Sequence, residues 1–389
     1  MIKSELNSAQ IVIQGAGPVG LACAIALLHD NPELNLIVLD KNPQSDDFLS
    51  SGDPRGIAIS EGSKQLLVNL GAWVDQAPSI HEVHVSHKGY FGKTTMRKDE
   101  IHQEALGHIV RYKDILLSLR KKLKSLELDC KNLNWVHDFK DSIEIHEISA
   151  NTCIVHADGG LFSDQEAKDV HKDYGQSALV GWLKVNHVQS HMAWERFTND
   201  GPIAILPHHQ GSNFKNFVWC APTEKIEFLL NLDQEEFISK LTEAIQMPIG
   251  EFEEVHDRKA YPLGLNFKKD IVHDNEVWIG NSAQTLHPVA GQGLNLGLRD
   301  AFTLANTLNS VFSRSSDDLN KKLEVALLNY QEKRSKDRAA TIQITDLMAS
   351  VFTSSFLPLI LGRGLALSAL QWLPPVKNQL ARQMMFGQR

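Results

Sequence analysis

Gln10-Ile11-Val12-Ile13-Gln14-Gly15-Ala16-Gly17-Pro18-Val19-Gly20 decides the fold. Ile11 to Ile13 form the β-branched run of a short buried strand, and the glycines that follow predict a sharp turn. Leu21 to Leu28 is apolar on every side, with alanines at close-packing positions, and reads as a buried helix. A turn containing Pro32 leads to a second strand, Leu36-Ile37-Val38-Leu39, which ends at Asp40. This is the strand, turn, helix, strand and acid of a dinucleotide-binding unit. In such a unit Gly15 permits the tight turn, Gly17 admits the pyrophosphate and Gly20 lets helix and strand pack. Asp40 lies about twenty positions past the last glycine, where a carboxylate can accept ribose hydroxyls. Pro18, Val19 and Lys41 flank these positions and join them as candidate cofactor contacts. The pattern does not choose between FAD and NAD(P).

A second glycine-rich stretch runs from Gly280 to Asp300, between a strand at Val277-Trp278-Ile279 and a helix expected from Ala301. Each glycine there costs folding entropy, so the backbone is expected to approach something closely. A helix N-terminus behind such a loop offers free N–H groups and a positive dipole end, suited to an anion or an electron-rich ring edge. Arg55, between Pro54 and a short strand, can pair with a phosphate or carboxylate, or form a surface ion pair. Asp158-Gly159, after the strand Thr152 to His156, can place a carboxylate on a cofactor hydroxyl or make a plain turn. Ser142 to Ile148 reads as one more strand, and Lys113 to Leu126 as an amphipathic basic helix.

The middle third changes character. Tyr174 to Val185, Ala193 to Thr198, Ile203 to Pro207 and Asn216 to Cys220 are strand patterns of an antiparallel sheet. Such a sheet can carry an apolar substrate on one face. The expected fold is therefore α/β. A Rossmann-like three-layer domain with a parallel sheet takes residues 1–75, 100–173 and 262–345. An inserted antiparallel-sheet substrate domain takes 76–99 and 174–261, and a helical C-terminal segment takes 346–389.

Composition narrows the function. The chain has 389 residues, 42% hydrophobic and 22% charged, with net charge -8, which argues against broad nucleic-acid binding. Four widely spaced cysteines without a CxxC pair suggest neither a zinc site nor a disulfide framework. With a polar N-terminus, they predict a cytoplasmic protein. No metal is expected at His81, His84 and His87, because they alternate faces along a strand containing Val83 and Val85. The apolar stretch Phe356 to Leu373 contains Pro358, Gly362, Arg363 and Gly364 and is a poor membrane span.

Taken together, the motifs resemble the class A FAD-dependent aromatic hydroxylases, and among them the ubiquinone-biosynthesis hydroxylases. The resemblance rests on Gly15 to Gly20 with Asp40, Asp53-Pro54-Arg55, Ala157-Asp158-Gly159, and the block from Leu286 to Asp300. Glu195-Arg196-Phe197-Thr198 followed by Gly201 to Pro207 is similar to the family's substrate-domain strands. Gly280-Asn281-Ser282-Ala283-Gln284-Thr285 resembles the 2-polyprenyl-6-methoxyphenol hydroxylase branch, where most of the family has Gly-Asp.

The resemblance implies FAD as cofactor and NAD(P)H as co-substrate. The three glycines would lie under the pyrophosphate and Asp40 on the adenosine ribose. Arg55 would sit near the cofactor, Lys113 would stand roughly where many relatives have an arginine near the flavin, Asp158 and Gly159 would serve both FAD and NAD(P)H, and Asn281 would meet the ribityl–pyrophosphate region. Pro288, Gly291, Gln292, Gly293, Leu294 and Asn295 would line the isoalloxazine ring, with His287 either near it or making a structural hydrogen bond. Phe197, Ile203, Ile205, Leu206, Val218 and Trp219 would wall the substrate site. The implied reaction is hydroxylation of a polyprenylated phenol by O₂ through a flavin C4a-hydroperoxide.

One departure bears on NAD(P)H. The family's Ser-Arg after Asp-Gly is missing, since Ser163 precedes Asp164-Gln165-Glu166. Two alternatives stand beside this reading: a hydroxylase of another aromatic substrate, and a flavin-binding subunit of a biosynthetic complex with little activity of its own. Leu357, Ile360, Leu361, Leu365, Leu367 and Trp372 could meet a membrane surface or a partner from ubiquinone biosynthesis, or pack on the core.

Overall fold

The computed structural model describes residues 10–42, 53–137, 151–186, 189–312, 318–351 and 357–387. The strand expected over Ser142 to Ile148 lies outside them. The chain opens with β1 (Ile11–Gln14), α1 (Pro18–Asp30), β2 (Leu36–Leu39), β3 (Gly56–Ser60) and α2 (Glu61–Asn69). Next come β4 (Ser79–Ile80), β5 (Glu82–His87), β6 (Lys93–Arg97), β7 (Gly107–Arg111), α3 (Tyr112–Asp129), β8 (Leu133–Val136) and β9 (Cys153–His156). β10 (Val170–Val185), β11 (Met192–Phe197), β12 (Pro202–Pro207), β13 (Phe214–Pro222), α4 (Thr223–Asn231), α5 (Gln234–Ile245) and β14 (Phe252–Phe267) follow. The last elements are β15 (Val272–His273), β16 (Glu276–Trp278), β17 (Gln284–Thr285), α6 (Gln292–Phe312), α7 (Leu319–Val351), α8 (Leu357–Trp372) and α9 (Pro374–Phe386).

A six-stranded sheet has the order β15-β16-β9-β1-β2-β8. All its pairs are parallel except the hairpin of β15 with β16. Its central strands are unbroken aliphatic runs because both faces are covered. Ile11, Ile13, Leu36 and Val38 pack with α1, α3 and α6 in the main core, while Val12, Ile37 and Leu39 form a small cluster on the other face. An eight-stranded sheet has the order β17-β14-β10-β13-β12-β11-β5-β6, antiparallel except where β11 meets β5. β3, β7 and β4 make a small third sheet.

Two elements differ from the sequence reading. The final glycine-rich stretch is not loop up to Asp300, because α6 already begins at Gln292 and carries Gly293 and Gly297 inside it. Helix interiors normally exclude glycine, but a Cβ on Gly297 would lie 2.7 Å from Val19 Cγ2 and 3.1 Å from Gly280 Cα. The missing side chain lets α6 cross α1 at close range. β14 was also hidden, since Phe252–Phe267 carries consecutive polar residues at Glu253-Glu254 and His256-Asp257-Arg258-Lys259 and includes Pro262. It pairs with β10 along most of its length and runs unbroken past residues 261 and 262.

Candidate active site

Both glycine-rich turns and the inner face of the large sheet border one cavity of about 640 Å³. Gly17, Pro18, Val19, Gly159, Gly160 and Asn281 line one part of it. Pro288 and Gly291 to Asn295 line the middle, and the strands β10 to β13 supply the far wall.

The glycines show what the cradle can hold. Gly15 has φ +111°, and a Cβ there would lie 2.7 Å from Asp158 N. A Cβ on Gly20 would lie 2.0 Å from Gly15 O. These two are required by packing alone. Gly17 differs, because a Cβ there would meet nothing within 4 Å. It faces open space before the free N–H groups of α1. The second turn repeats the arrangement. Gly291 has φ +61° and no room beside Ala58, whereas Gly293, in the first turn of α6, faces open space. Two helix N-termini with their dipole ends toward one cavity suit a diphosphate at one end and an electron-rich ring at the other. The residues present fit FAD.

The polar candidates divide into those that face the cavity and those already occupied. Asp158 accepts from Ser282 Oγ at 3.2 Å and lies 3.7 Å from the exposed Lys41. Asn281 Nδ2 donates to Gly160 O at 2.9 Å, tying the two cofactor loops together. Lys168 Nζ donates to Asn281 O at 2.8 Å, and burial holds its pKa down at about 8. Asp40 is buried outside the cavity wall, accepting from Arg120 Nη1 and Asn42 N, each at 2.9 Å. Lys113 does not border the cavity, whereas its neighbour Tyr112 does. Arg55 borders it with its charge already spent. Its Nε and Nη2 are gripped by Asp53 at 2.9 and 2.5 Å, between the rings of Tyr112 and Tyr261 at 4.9 and 5.0 Å.

His287 is 1% exposed, behind the ring loop rather than in the cavity. Its Nδ1 accepts from Val289 N at 3.2 Å, and burial lowers its pKa to about 4. It is a neutral strut that shapes Pro288 and Val289. Asn295 borders the cavity, yet its side chain is consumed in stitching. Its Oδ1 accepts from Ser60 N, and its Nδ2 donates to Ala58 O and Gly291 O, all at 2.8 Å.

The substrate wall corrects the sequence reading. Leu206 and Val218 do face the cavity. Ile203, Ile205 and Trp219 point to the opposite face, into the core formed with α4 and α5. Phe197 is on the cavity's side of β11 but is wholly buried in a cluster with Val85, Val289 and Leu367. Side chains alternate along a strand, and the larger apolar members belong to the packed face. The cavity face carries small ones, Ala178, Ala193, Ala204 and Cys220, because space must be left there. One carboxylate, Glu195, stands among them on the sheet side, among the described residues.

α9 closes the cavity with Ala381, Met384 and Met385. It is fixed by Ser60 Oγ donating to Met385 O at 2.8 Å and by Lys377 Nζ on Glu100 at 2.7 Å. Leu367 is buried, whereas Leu365, Trp372, Leu373 and Val376 are exposed. No helix among the described residues is long and apolar enough to cross a membrane.

A dinucleotide cradle that opens into an apolar, sheet-walled cavity gives this chain the fold of the FAD-dependent monooxygenases. The chain belongs to the FAD binding domain family, whose model matches residues 120–344. An uncharacterised protein of Synechocystis, slr1300, is 29% identical, covering 98% of this chain and 94% of its own. The mitochondrial ubiquinone biosynthesis monooxygenase COQ6 of Mus musculus is 25% identical, over 95% of this chain and 89% of its own. The solved structure of PqsL of P. aeruginosa with 2-aminobenzoylacetate matches with a TM-score of 0.69 at 16% identity, covering 88% of this chain and 96% of that one.

Asn281→Asp is expected to weaken FAD. An aspartate cannot donate to Gly160 O, and its charge would stand beside the cofactor's phosphates. Loss of one hydrogen bond plus repulsion corresponds to about 1.4 kcal/mol, a roughly tenfold rise in Kd. Titration of apoprotein with FAD, followed by flavin fluorescence, measures it. An unchanged Kd would remove Asn281 from the cofactor site.

Proposed function

We propose that this enzyme hydroxylates the ring of a polyprenylated phenol of the 2-polyprenyl-6-methoxyphenol type in ubiquinone biosynthesis, using NAD(P)H and O₂. The supporting observation is the far wall of the cavity, which is built mainly of small apolar side chains and, among the described residues, leaves no uncompensated cation. A hydroxylase of soluble aromatic acids would need a free cation for the carboxylate. The arginine at this cavity, Arg55, is neutralised by Asp53. The name of the relative COQ6 points to the same pathway.

Bound FAD supplies the oxygenating chemistry. The protein's share is placement and exclusion. The N-terminus of α6 would stabilise negative charge at the ring edge. Phe197, Val289 and Leu367 form a dry packing beside it, which keeps water from the reacting end. In this reading residues 76–99 and 174–261 carry the substrate, while α9 closes over it and Trp372, 83% exposed, meets a lipid surface.

The test supplies holoprotein with NADH or NADPH, ¹⁸O₂ and 2-geranyl-6-methoxyphenol in liposomes. The expected product contains one labelled oxygen atom. Trp372→Ser should slow turnover with liposomes and not with detergent-solubilised substrate. Cofactor oxidation that yields only hydrogen peroxide, or a preference for a soluble aromatic acid, would defeat the proposal.

A further inference from the structure

We infer that Glu195 is the group that takes the proton from the substrate's phenolic hydroxyl. The inference rests on the substrate being a phenol, as proposed above.

Position comes first. Glu195 lies on β11 between Val85 of β5 and Ala204 of β12, and its side chain enters the cavity. Phe197 follows two residues later on the same face, in one buried cluster with Val289 of the ring-binding loop. Strand rise places Glu195 about 7 Å along β11 from Phe197. A phenol lying against the loop can therefore turn its hydroxyl toward Glu195.

The surroundings come second. Among the described residues Glu195 makes no hydrogen bond or ion pair. β12 has no titratable side chain. β13 meets Glu195 with the Cys220 thiol, β5 with Val83 and Val85, and β6 with Thr94 and Met96. α9 contributes Ala381, Met384 and Met385. Among the described residues the other ionisable groups at the cavity are Asp164, Tyr112, Tyr261, and Arg55 with Asp53. Such a site neither requires a charge nor neutralises one. Burial raises the carboxyl to about 7, where it can both accept and return a proton at neutral pH.

The step balances without an oxidant. The phenolic O–H bond breaks, a carboxylic O–H forms on Glu195, and the electron pair stays on the phenolate oxygen. That oxygen enriches the ring for attack by an electrophilic oxygen. As the oxygenated ring carbon gives its own proton to water and its C–H electron pair restores the aromatic ring, Glu195 returns its proton to the phenolate oxygen, so the phenol re-forms and Glu195 is again a carboxylate.

The test compares holoenzyme with Glu195→Gln and Glu195→Asp on 2-geranyl-6-methoxyphenol across pH. In the wild type kcat/KM should fall below pH about 7. Glu195→Gln should be about 100-fold slower near neutrality. Its acid limb should move toward the free phenol's pKa, about 10, with FAD affinity unchanged. Glu195→Asp should keep an acid limb near that of the wild type. A Gln variant within threefold of wild type, or one that keeps the wild-type limb, overturns the assignment. If the Gln variant does not bind FAD, the Asp variant decides: a retained limb supports the role and a lost limb overturns it. If the wild type prefers another phenol, the prenyl reading fails, and the same comparison on that phenol still judges Glu195.

Discussion

Asp300→Ala is expected to lower the unfolding free energy by about 3–5 kcal/mol, the usual result of breaking a buried ion pair from one side. Asp300 is 0% exposed in α6. Its Oδ1 accepts from Arg334 Nε of α7 at 2.8 Å, and its Oδ2 from Gln284 Nε2 at 2.6 Å and Gly280 N at 3.3 Å. Arg334 also meets Asp337 at 2.7 Å, and Asp337 takes Arg299 at 2.8 Å. Arg338 Nε donates to Gln284 Oε1 at 2.7 Å. This set holds three guanidinium groups and two carboxylates below the ring loop. Alanine would leave one carboxylate for all three and would strand two further donors without an acceptor. Because Gly280 and Gln284 flank Asn281, FAD affinity should fall along with stability. Urea unfolding of the apoprotein measures the first effect and FAD titration the second. A variant within 1 kcal/mol of wild type would show that the network is not what anchors the loop.

The sequence carried local features more readily than those depending on which elements meet. Gln10 to Asp40 was legible because turn, helix packing and strand ending are each decided by neighbours in the chain. The start of α6 was not, because Gly297 is explained only by Val19 on another helix. Strands β11, β12 and β13 were legible as strand-like runs, yet such a run does not say which face is packed by α4 and α5. The large side chains Ile203, Ile205 and Trp219 were therefore assigned to the cavity, and Glu195 was passed over. Arg55 had two readings open, and the outcome lay two residues away in Asp53. The Asp300 network pairs α6 with α7 across a long stretch of chain, and no local pattern announces it.

Gly17→Val should leave the apoprotein nearly as stable as wild type while raising the FAD dissociation constant at least 100-fold, about 2.7 kcal/mol or more. Gly17 has φ -74° and ψ 176°, an extended conformation open to any residue, so the substitution brings no backbone strain. Its Cβ meets nothing within 4 Å. As the N-cap of α1, Gly17 gives no side-chain hydrogen bond, so valine should cost the apoprotein at most about 1 kcal/mol. The added methyls would stand before the free N–H groups of α1, where the diphosphate has to approach. Gly20→Val is the opposite case. Its Cβ would lie 2.0 Å from Gly15 O, so the fold itself should fail. Thermal melts with and without FAD separate the two, because a ligand that binds only the folded state raises Tm. Wild type should melt higher with FAD. Gly17→Val should melt at one temperature in both conditions, close to apo wild type. Gly20→Val should show no cooperative transition or a much lower one. A Gly17→Val protein that purifies with a full complement of FAD would mean that the diphosphate does not pass in front of α1, and the cradle would have to be placed elsewhere along the cavity.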